Sequence, residues 1–527
     1  MKRDADLVRE KDRLESGSSS PESTRRASGS GAITKASSGI GGLDDILSGG
    51  FPRERLYVVQ GSPGAGKTTI GLQFLLNGLA VGETGLYITL SEAANELTAS
   101  ARSHGWSLDG IHMQEVLPSE DGGSDAANTL FHPAEVELSE TTGSVLEAIG
   151  RVNPQRLVID SLSEIRLLSQ SPLRYRRQIL ALKQFLAGRR CTTLFLDEIS
   201  EQETDVHLQT IAHGVLLLEQ LAPIFGAERR RLRVLKLRGV KFRGGFHDFK
   251  IETGGVAVFP RLVAAEHQRP ATEGTVSSGV AELDALLGGG VDRGTTTLVM
   301  GPAGTGKSLL VAQYAAAAAE RNERVLMLTF DEGIETFFTR TEAMGIPIRR
   351  HVESGQISVR QIDPAELSPG EFAHILRRAV EEDGARMIVI DSLSGYFNAM
   401  PEERFLTVQL HELFTFLRQQ GVLVLLTLPQ HGFVGPNVGG PIEVSYLADT
   451  VVLLRYFEFG GTVRKAISVL KKRSGRHETT IRELMLDENG LRVGPALENV
   501  RGVLSGTPIF SGDQETLMKE GSGRSSW

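Results

Sequence analysis

The sequence predicts an α/β protein made of two tandem domains, each with a mostly parallel, twisted sheet flanked by helices. Three observations carry this prediction. The chain has 527 residues, too many for one hydrophobic core; it repeats its own motifs; and each copy alternates short apolar runs with segments of helical length. Because 40% of the residues are hydrophobic and 23% are charged, the composition is that of an ordinary globular protein.

The internal repeat is visible in four motifs that occur in the same order in both halves. SSGIGGLDDILSGG, from Ser37, recurs as SSGVAELDALLGGG from Ser277, and GSPGAGKT from Gly61 recurs as GPAGTGKS from Gly301, both at a shift of 240 residues. RLVIDSLS recurs as MIVIDSLS, and VLKLR recurs as VLKKR. Two homologous domains follow from this order.

Composition sets the predicted boundaries. The two ends are rich in Gly, Ser and isolated charges, so we expect tails that cannot repay the entropy of ordering. A polar stretch with Pro270 separates the two copies. The two IDS motifs are 231 residues apart, whereas the two phosphate loops are 240 apart. The first copy is therefore expected to carry extra residues between these motifs, as an insertion at 119–128. The predicted segments are a tail at 1–31, the first domain at 32–264, a linker at 265–274, the second domain at 275–508 and a tail at 509–527.

Each half contains a loop of the pattern GxxxxGK[ST] that follows an apolar strand and opens a helix. This context predicts a P-loop, in which backbone N–H groups and the helix N-terminus surround phosphate groups. Lys67 and Lys307 are expected to contact the terminal phosphates. The predicted nucleotide-binding residues are Gly61, Ser62, Pro63, Gly64, Ala65, Gly66, Lys67, Thr68 and Thr69, and Gly301, Pro302, Ala303, Gly304, Thr305, Gly306, Lys307, Ser308 and Leu309.

The predicted magnesium-positioning residues lie where phosphate loop and sheet edge meet. Asp160 and Asp391 each end an apolar strand, and the carboxyl ends of parallel strands are where α/β folds bind ligands. The hydroxyls of Thr68 and Ser308, directly after the loop lysines, are suited to the same Mg²⁺ ion.

Hydrolysis also needs a carboxylate that orients or deprotonates the attacking water. The candidates end the strand that follows each phosphate-loop helix: Glu92 in the first domain, and Asp331 and Glu332 in the second. A solvated acidic strand end is the alternative interpretation of these three residues.

With these motifs the sequence resembles the KaiC-like proteins, a family of double-domain RecA-like ATPases, from about Ser37 to about Pro508. The segments ARSHGW, from Ala101, and LSGTP, from Leu504, add to the resemblance. It implies two tandem RecA-like P-loop NTPase domains that bind ATP with Mg²⁺ and assemble as a hexamer with ATP between neighbouring subunits. Ser91 replaces one acid of the family's pair, so hydrolysis in the first domain is expected to rely on Glu92 and to be slower.

The resemblance also gives the basic strands a role. Period-two alternation puts Lys236 and Arg238 on one face of VLKLR, and it does the same for Lys471 and Arg473 in VLKKR. In a ring, each pair is expected to stabilise the γ-phosphate held by a neighbour. Two alternatives stay open: a solvated strand edge, and a nucleic-acid contact by the eight Lys and Arg at 229–243.

A second implied role concerns Ser445, which matches the family's acceptor serine. The resemblance predicts that the second domain phosphorylates this residue, a serine/threonine autokinase activity. Tyr446 stands at the other acceptor position.

Charge and hydropathy limit the remaining function classes. The formal net charge of -8 argues against a protein that coats nucleic acid. We expect a cytoplasmic protein without membrane contact, because no run reaches the length of a span and Cys191 is the one cysteine. The sequence therefore favours an ATP-hydrolysing signalling protein, with a RecA-like DNA motor or recombinase and a nucleotide-sensing scaffold as alternatives.

Overall fold

The computed structural model describes residues 33–116, 133–199, 206–222, 226–267, 269–270, 273–363, 365–398, 406–430, 446–504 and 509–510. The predicted N-terminal tail, the predicted insertion at 119–128 and the predicted acceptor Ser445 lie outside these residues. Both repeats belong to one compact unit that begins at Lys35. No helix in the described part of the chain is both long enough and apolar enough to span a membrane.

The first repeat forms one α/β domain. Its strands are β1 (Lys35–Ala36), β2 (Phe51–Pro52), β3 (Leu56–Gly61), β4 (Gly85–Thr89), β5 (Ile111–Glu115), β6 (Arg156–Asp160), β7 (Thr192–Glu198), β8 (Gly214–Leu221), β9 (Arg229–Leu237), β10 (Phe246–Glu252) and β11 (Gly255–Phe259). Its helices are α1 (Gly41–Ile46), α2 (Lys67–Ala80), α3 (Ala94–Ser103), α4 (Pro133–Val152), α5 (Leu162–Ser169), α6 (Pro172–Ala187) and α7 (Val206–Ile211).

The second repeat forms the same architecture. Its strands are β12 (Thr275–Val276), β13 (Val291–Asp292), β14 (Thr296–Gly301), β15 (Val325–Thr329), β16 (Ile357–Gln361), β17 (Met387–Asp391), β18 (Leu423–Pro429), β19 (Thr450–Phe459), β20 (Thr462–Lys472), β21 (Arg482–Asp487), β22 (Gly490–Ala496), β23 (Val500–Arg501) and β24 (Ile509–Phe510). Its helices are α8 (Ala281–Leu286), α9 (Lys307–Glu320), α10 (Ile334–Ala343), α11 (Ile348–Glu353), α12 (Pro369–Glu381), α13 (Leu393–Asn398) and α14 (Leu406–Gln419).

The two large sheets have the same topology among the described residues. The first has nine strands in the order β11-β10-β9-β8-β3-β7-β6-β4-β5. The second also has nine, and written from the opposite edge of the sheet their order is β16-β15-β17-β18-β14-β19-β20-β21-β22. In each sheet six neighbouring strands are parallel and three antiparallel strands follow at one side. The predicted fold of two mostly parallel sheets flanked by helices is therefore confirmed.

Apolar side chains fill both faces of each sheet, which explains why its central strands are continuously hydrophobic. In β6, Val158 packs into one core cluster while Leu157 and Ile159 pack into another. In β17, Val389 and Ile390 divide in the same way. Because successive side chains point to opposite faces, two helical layers cover each sheet, and the strand ends are left to carry the polar residues.

The junction between the repeats packs onto the second domain. A 3₁₀ helix, Ala264–His267, lies where the predicted linker begins, and Ala264 is buried in a core cluster of the second domain. Gln420 Nε2 donates a hydrogen bond to the His267 carbonyl at 3.0 Å. At the other end, β24 pairs with β23 just beyond Pro508. The exact boundaries stay predictions, but the second domain gathers residues on both sides of its predicted range.

Candidate active sites

The first phosphate loop joins β3 to α2 and requires glycine at its tightest positions. Gly64 and Gly66 have φ values of 77° and 94°, in the left-handed region that L side chains rarely adopt. A Cβ atom on Gly66 would lie 2.7 Å from Ile251 Cδ1. Lys67 Nζ donates to the carbonyl oxygens of Gly61 at 3.0 Å and Ser62 at 2.9 Å. The Lys67 side chain thus contacts the backbone of the phosphate loop in which it is predicted to bind phosphate.

The second phosphate loop repeats this geometry between β14 and α9. Gly304 and Gly306 have φ values of 78° and 103°, and a Cβ atom on Gly306 would lie 2.2 Å from Leu486 Cδ1. Lys307 Nζ donates to the Pro302 carbonyl at 2.8 Å. Burial lowers the pKa of Lys307, and the nearby Asp391 carboxylate opposes this effect. Both loops therefore hold a partly desolvated cation at the N-terminus of a helix.

Asp160 lies at the end of β6 beside the first loop, as predicted. Its Oδ2 accepts hydrogen bonds from Thr68 Oγ1 at 2.9 Å and from Tyr87 Oη at 2.5 Å. The residue is 7% exposed, and burial raises its pKa despite those two hydrogen bonds and the charge of Lys67. A buried carboxylate and a threonine hydroxyl in contact are hard oxygen donors, so the pair fits a Mg²⁺ ion held jointly with phosphate oxygens.

Asp391 occupies the equivalent place in the second domain. It pairs with Thr329 in the sheet, as Asp160 pairs with Thr89. Its carboxylate accepts a hydrogen bond from the hydroxyl of Thr427 on the adjacent strand β18. The two aspartates thus share a register position but are held by different neighbours, and Ser308 directly follows the loop lysine as Thr68 does.

The predicted water-orienting acids lie on the turns that follow β4 and β15. Thr89 Oγ1 donates to the Glu92 carbonyl at 2.7 Å and accepts from the Glu92 N–H at 3.0 Å, which fixes the first turn. Burial raises the pKa of Glu92, and the carboxylates of Asp160, Glu96 and Glu198 raise it further. Glu92 therefore shares the electrostatic field of the first loop.

The second domain holds its two acids by different contacts. Glu332 accepts from Arg340 Nη2 at 2.6 Å, and burial raises its pKa although Arg340 acts in the opposite direction. Asp331 accepts from Ser392 Oγ at 2.6 Å, and Ser392 directly follows Asp391. Both acids lie at the sheet edge that carries the second loop.

The structure also brings to the first site a polar cluster that the motifs did not reveal. Asp197 and Glu198 end β7, next to the phosphate-loop strand, and Glu198 Oε1 lies 3.9 Å from Lys67 Nζ. The signal for them was present in TLFLDE, an apolar run that ends in two acids in the same way as the other site strands. Tyr87, which contacts Asp160, carried no sequence signal because it is one apolar-looking residue inside a buried strand.

The predicted basic pairs lie at the amino end of the sheet, opposite the phosphate loops. Lys236 donates to the Gln209 carbonyl, and Arg238 Nη2 to that of Thr210 at 3.1 Å. Lys471 Nζ donates to the Ala448 carbonyl at 2.8 Å, and Arg473 Nη2 to that of Tyr446 at 3.0 Å. β9 ends at Leu237 and β20 at Lys472, so each arginine lies one residue beyond its strand.

The strand register shows how far Lys236 and Lys471 lie from the phosphate loop of their own domain. Lys236 is opposite Val215, which adjoins Val58, three residues before Gly61. Lys471 is opposite Val451, which is opposite Leu298, three residues before Gly301. At ~3.3 Å per residue the backbones are about 10 Å from the loop end of the strand, and the side chains turn to carbonyls at the other end.

The basic run at 229–243 is partly neutralised: three of its eight basic residues form the ion pairs given below. Arg233 stacks over the Phe246 ring at 5.1 Å. The ion pairs are Arg230 with Glu228, Arg231 with Glu219, and Arg243 with both Asp45 and Glu266. These ion pairs therefore reduce the positive charge of the run.

Two phosphate loops, each closing a mostly parallel sheet beside a strand-end aspartate, define a tandem RecA-like P-loop ATPase. The family model described as the KaiC ATPase matches residues 36–263 and 276–498. The chain belongs to the KaiC ATPase family.

Curated relatives cover nearly the whole chain. The chain is 26% identical over 495 residues to the circadian clock protein KaiC3 of Synechocystis, covering 92% of this chain and 96% of the relative. It is 28% identical over 500 residues to the circadian clock oscillator protein KaiC of Thermostichus vulcanus, covering 92% and 94%. It is 28% identical over 483 residues to the KaiC of Synechococcus elongatus, covering 90% and 92%.

Proposed function

We propose that the protein is an ATP-hydrolysing signalling protein that works as a hexameric ring, with one ATP site per domain. The observation that carries the proposal is the duplicated site: each domain has a phosphate loop, a strand-end aspartate and at least one further acid at the same sheet edge. A bound Mg²⁺ ion would neutralise charge on the β- and γ-phosphates. Thr68 with Asp160, and Ser308 with Asp391, would hold it.

The chain's own groups account for the chemical step. Loop N–H groups and Lys67 or Lys307 bind and orient the phosphates. Glu92 in the first domain and Glu332 or Asp331 in the second accept the proton of the attacking water. Because burial raises the pKa values of Glu92 and Glu332, each carboxylate is a stronger base than a solvated one.

The basic pairs support ring assembly. Lys236 with Arg238, and Lys471 with Arg473, lie at the end of the sheet away from their own loops, so a γ-phosphate within their reach belongs to another subunit. A head-to-tail contact of this kind closes into a ring when its rotation permits. Light scattering with Mg-ATP at micromolar protein tests this directly: we expect a hexamer, and a monomer would rule out the trans role.

We further propose serine autophosphorylation in the second domain. Arg473 Nη2 donates to the carbonyl of Tyr446 at 3.0 Å, and Tyr446 directly follows Ser445 in the sequence. Both second-domain acids are retained, so a carboxylate is available to take the proton of a hydroxyl. In the first domain Arg238 binds Thr210 in the same way, and Gln209 stands where Ser445 does, so no acceptor serine is offered there.

Mass spectrometry after incubation with Mg-ATP tests this second activity. We expect phosphate on Ser445 that disappears in a Glu332→Gln, Asp331→Asn variant. An unmodified peptide spanning Ser445 and Tyr446 would leave an ATPase without kinase activity.

Two alternative functions are separated by one assay. The ion pairs within the run at 229–243 and the net charge of -8 argue against a DNA motor. Steady-state ATPase measured with and without single-stranded DNA decides: we expect basal turnover that DNA leaves unchanged. Stimulation by DNA would favour a motor or recombinase, and no turnover would favour a nucleotide-sensing scaffold.

A further inference from the structure

The carboxyl end of β7 in the first domain carries acids that the second domain lacks. Glu198 pairs in register with Gly61, the first glycine of its phosphate loop. At the equivalent position of the second domain, Pro429 pairs with Gly301. β7 lies between β3, which ends in the loop, and β6, which ends in Asp160. Glu198 is thus at the sheet edge between the two elements that define the site.

Glu198 also lies close enough to the phosphate loop for its charge to act on Lys67. Its Oε1 is 3.9 Å from Lys67 Nζ, and its side chain is 47% exposed at the mouth of the site. Burial lowers the pKa of Lys67, and Glu198 is the strongest of the charges that oppose this, ahead of Asp160 and Glu92. Glu198 also raises the pKa of Glu92. The carboxylates of Glu92 and Glu198 therefore both interact with Lys67 and with each other.

A buried network fixes the strand end that presents Glu198. Asp197 is fully buried and accepts hydrogen bonds from Arg166 Nη2 at 2.6 and 2.8 Å and from Gln60 Nε2 at 3.0 Å. Arg166 also donates to the Glu198 carbonyl at 3.3 Å, and Gln209 Nε2 donates to Gln60 Oε1 at 3.0 Å. In the second domain, Met300 and Leu428 replace the register pair Gln60 and Asp197. Such support from packed, bonded neighbours is what a preorganised reacting group needs.

We infer that Glu198 is a second water-orienting carboxylate of the first ATP site. The inference rests on the hydrolysis proposed above. The second domain has two acids, Asp331 and Glu332, on one turn, whereas the first has Ser91 and Glu92. Glu198 restores the second carboxylate from a neighbouring strand.

The proposed step uses both hydrogens of one water molecule. Glu92 accepts the proton that leaves, and Glu198 accepts a hydrogen bond from the other hydrogen and so aims the oxygen. The water oxygen forms a bond to the γ-phosphorus, and the bond from this phosphorus to the β,γ-bridging oxygen breaks. ADP leaves with that electron pair, and inorganic phosphate is released.

The test uses the full chain with the second site silenced. In an Asp331→Asn, Glu332→Gln background, Glu198→Gln should lower kcat about 10- to 100-fold while KM for ATP changes less than about twofold. Glu198→Asp should recover part of the lost kcat. Glu115→Gln is the matched control, because Glu115 is an exposed acid at the end of β5 in the same sheet and its carboxylate contacts the Ala94 N–H.

The pH profile adds a readout that a structural role would not move. Glu198 raises the pKa of Glu92, so its removal should shift the acid limb of kcat to lower pH. An unchanged kcat, or a raised KM with kcat intact, would overturn the inference while leaving hydrolysis in place. If the background itself shows no turnover, both the proposed first-site hydrolysis and this inference fail.

Discussion

At the scale of single residues, substitution of the two loop lysines tests most directly how many ATP molecules one chain binds. Burial lowers the pKa values of both, so each lysine bears a desolvation cost that a phosphate would offset. We expect Lys67→Ala and Lys307→Ala each to reduce the calorimetric stoichiometry from two ATP per chain to one, and the double variant to bind none. Lys465→Ala is the control, since Lys465 is a partly buried lysine of β20 with a lowered pKa and no place in a loop. Two sites in the double variant would contradict the assignment.

His247 predicts how stability depends on pH. It is 1% exposed; its Nδ1 accepts from the Arg261 N–H at 2.9 Å, and Nε2 lies 3.1 Å from the Arg243 carbonyl. Burial lowers its pKa to about 4. The neutral form is favoured when folded, so His247 should lower the free energy of unfolding by at most about 3 kcal/mol as pH decreases from 6.5 towards 4. His213, whose pKa burial also lowers to about 4, acts in the same direction.

Urea unfolding at pH 7.5 and pH 5 measures this effect. His247→Gln removes one of these two titrating groups, so the variant should lose less stability between the two pH values than the wild type. An equal loss in both proteins would show that His247 is not the responsible group.

At the scale of elements, each phosphate loop depends on the strand that packs against it. β10 places Ile251 against Gly66, and β21 places Leu486 against Gly306. Gly66→Ala and Gly306→Ala should weaken ATP binding at their own sites about tenfold or more, because an L side chain strains the left-handed backbone and Ile251 or Leu486 must move to admit the Cβ atom. Gly188→Ala is the control, since Gly188 has φ −88° and open space around it. Unchanged affinity in the loop variants would contradict this account.

Elements also show what the sequence could predict. The repeat, the P-loops and the alternation of strand and helix predicted both sheets, because each depends on local spacing and periodicity. Asp160 and Asp391 were predictable because apolar strands end at them. The partners of these aspartates were not: Tyr87 and Thr427 come from neighbouring strands, and strand order is not written in any local pattern.

The contacts of the basic pairs were likewise not predictable from a local sequence pattern. Alternation predicted that Lys236 and Arg238 act together, and the structure places both on carbonyls near the end of α7. The ion pair of Arg473 with Asp449 joins residues 24 positions apart. Such a contact follows from the pairing of β19 with β20, which only the folded sheet defines.

At the scale of the whole molecule, each domain presents the phosphate loop at one end of its sheet and the cation pair at the other. Under the proposed function, one chain carries a phosphate loop and a cation pair in each domain, and each complete site joins the loop of one subunit to the cation pair of its neighbour. This arrangement is the central claim, because ring assembly, hydrolysis and acceptor chemistry all depend on a site shared between neighbours.

Mixing two inactive variants tests the claim most directly. In the Asp331→Asn, Glu332→Gln background, Lys67→Ala lacks the first loop lysine, and Lys236→Ala, Arg238→Ala lacks the first cation pair. Each variant alone should show almost no turnover. When equal amounts are mixed before ring assembly, about a quarter of the interfaces should join an intact loop to an intact cation pair and restore about a quarter of the parent turnover. Mixed rings without any recovery would contradict a site shared between subunits.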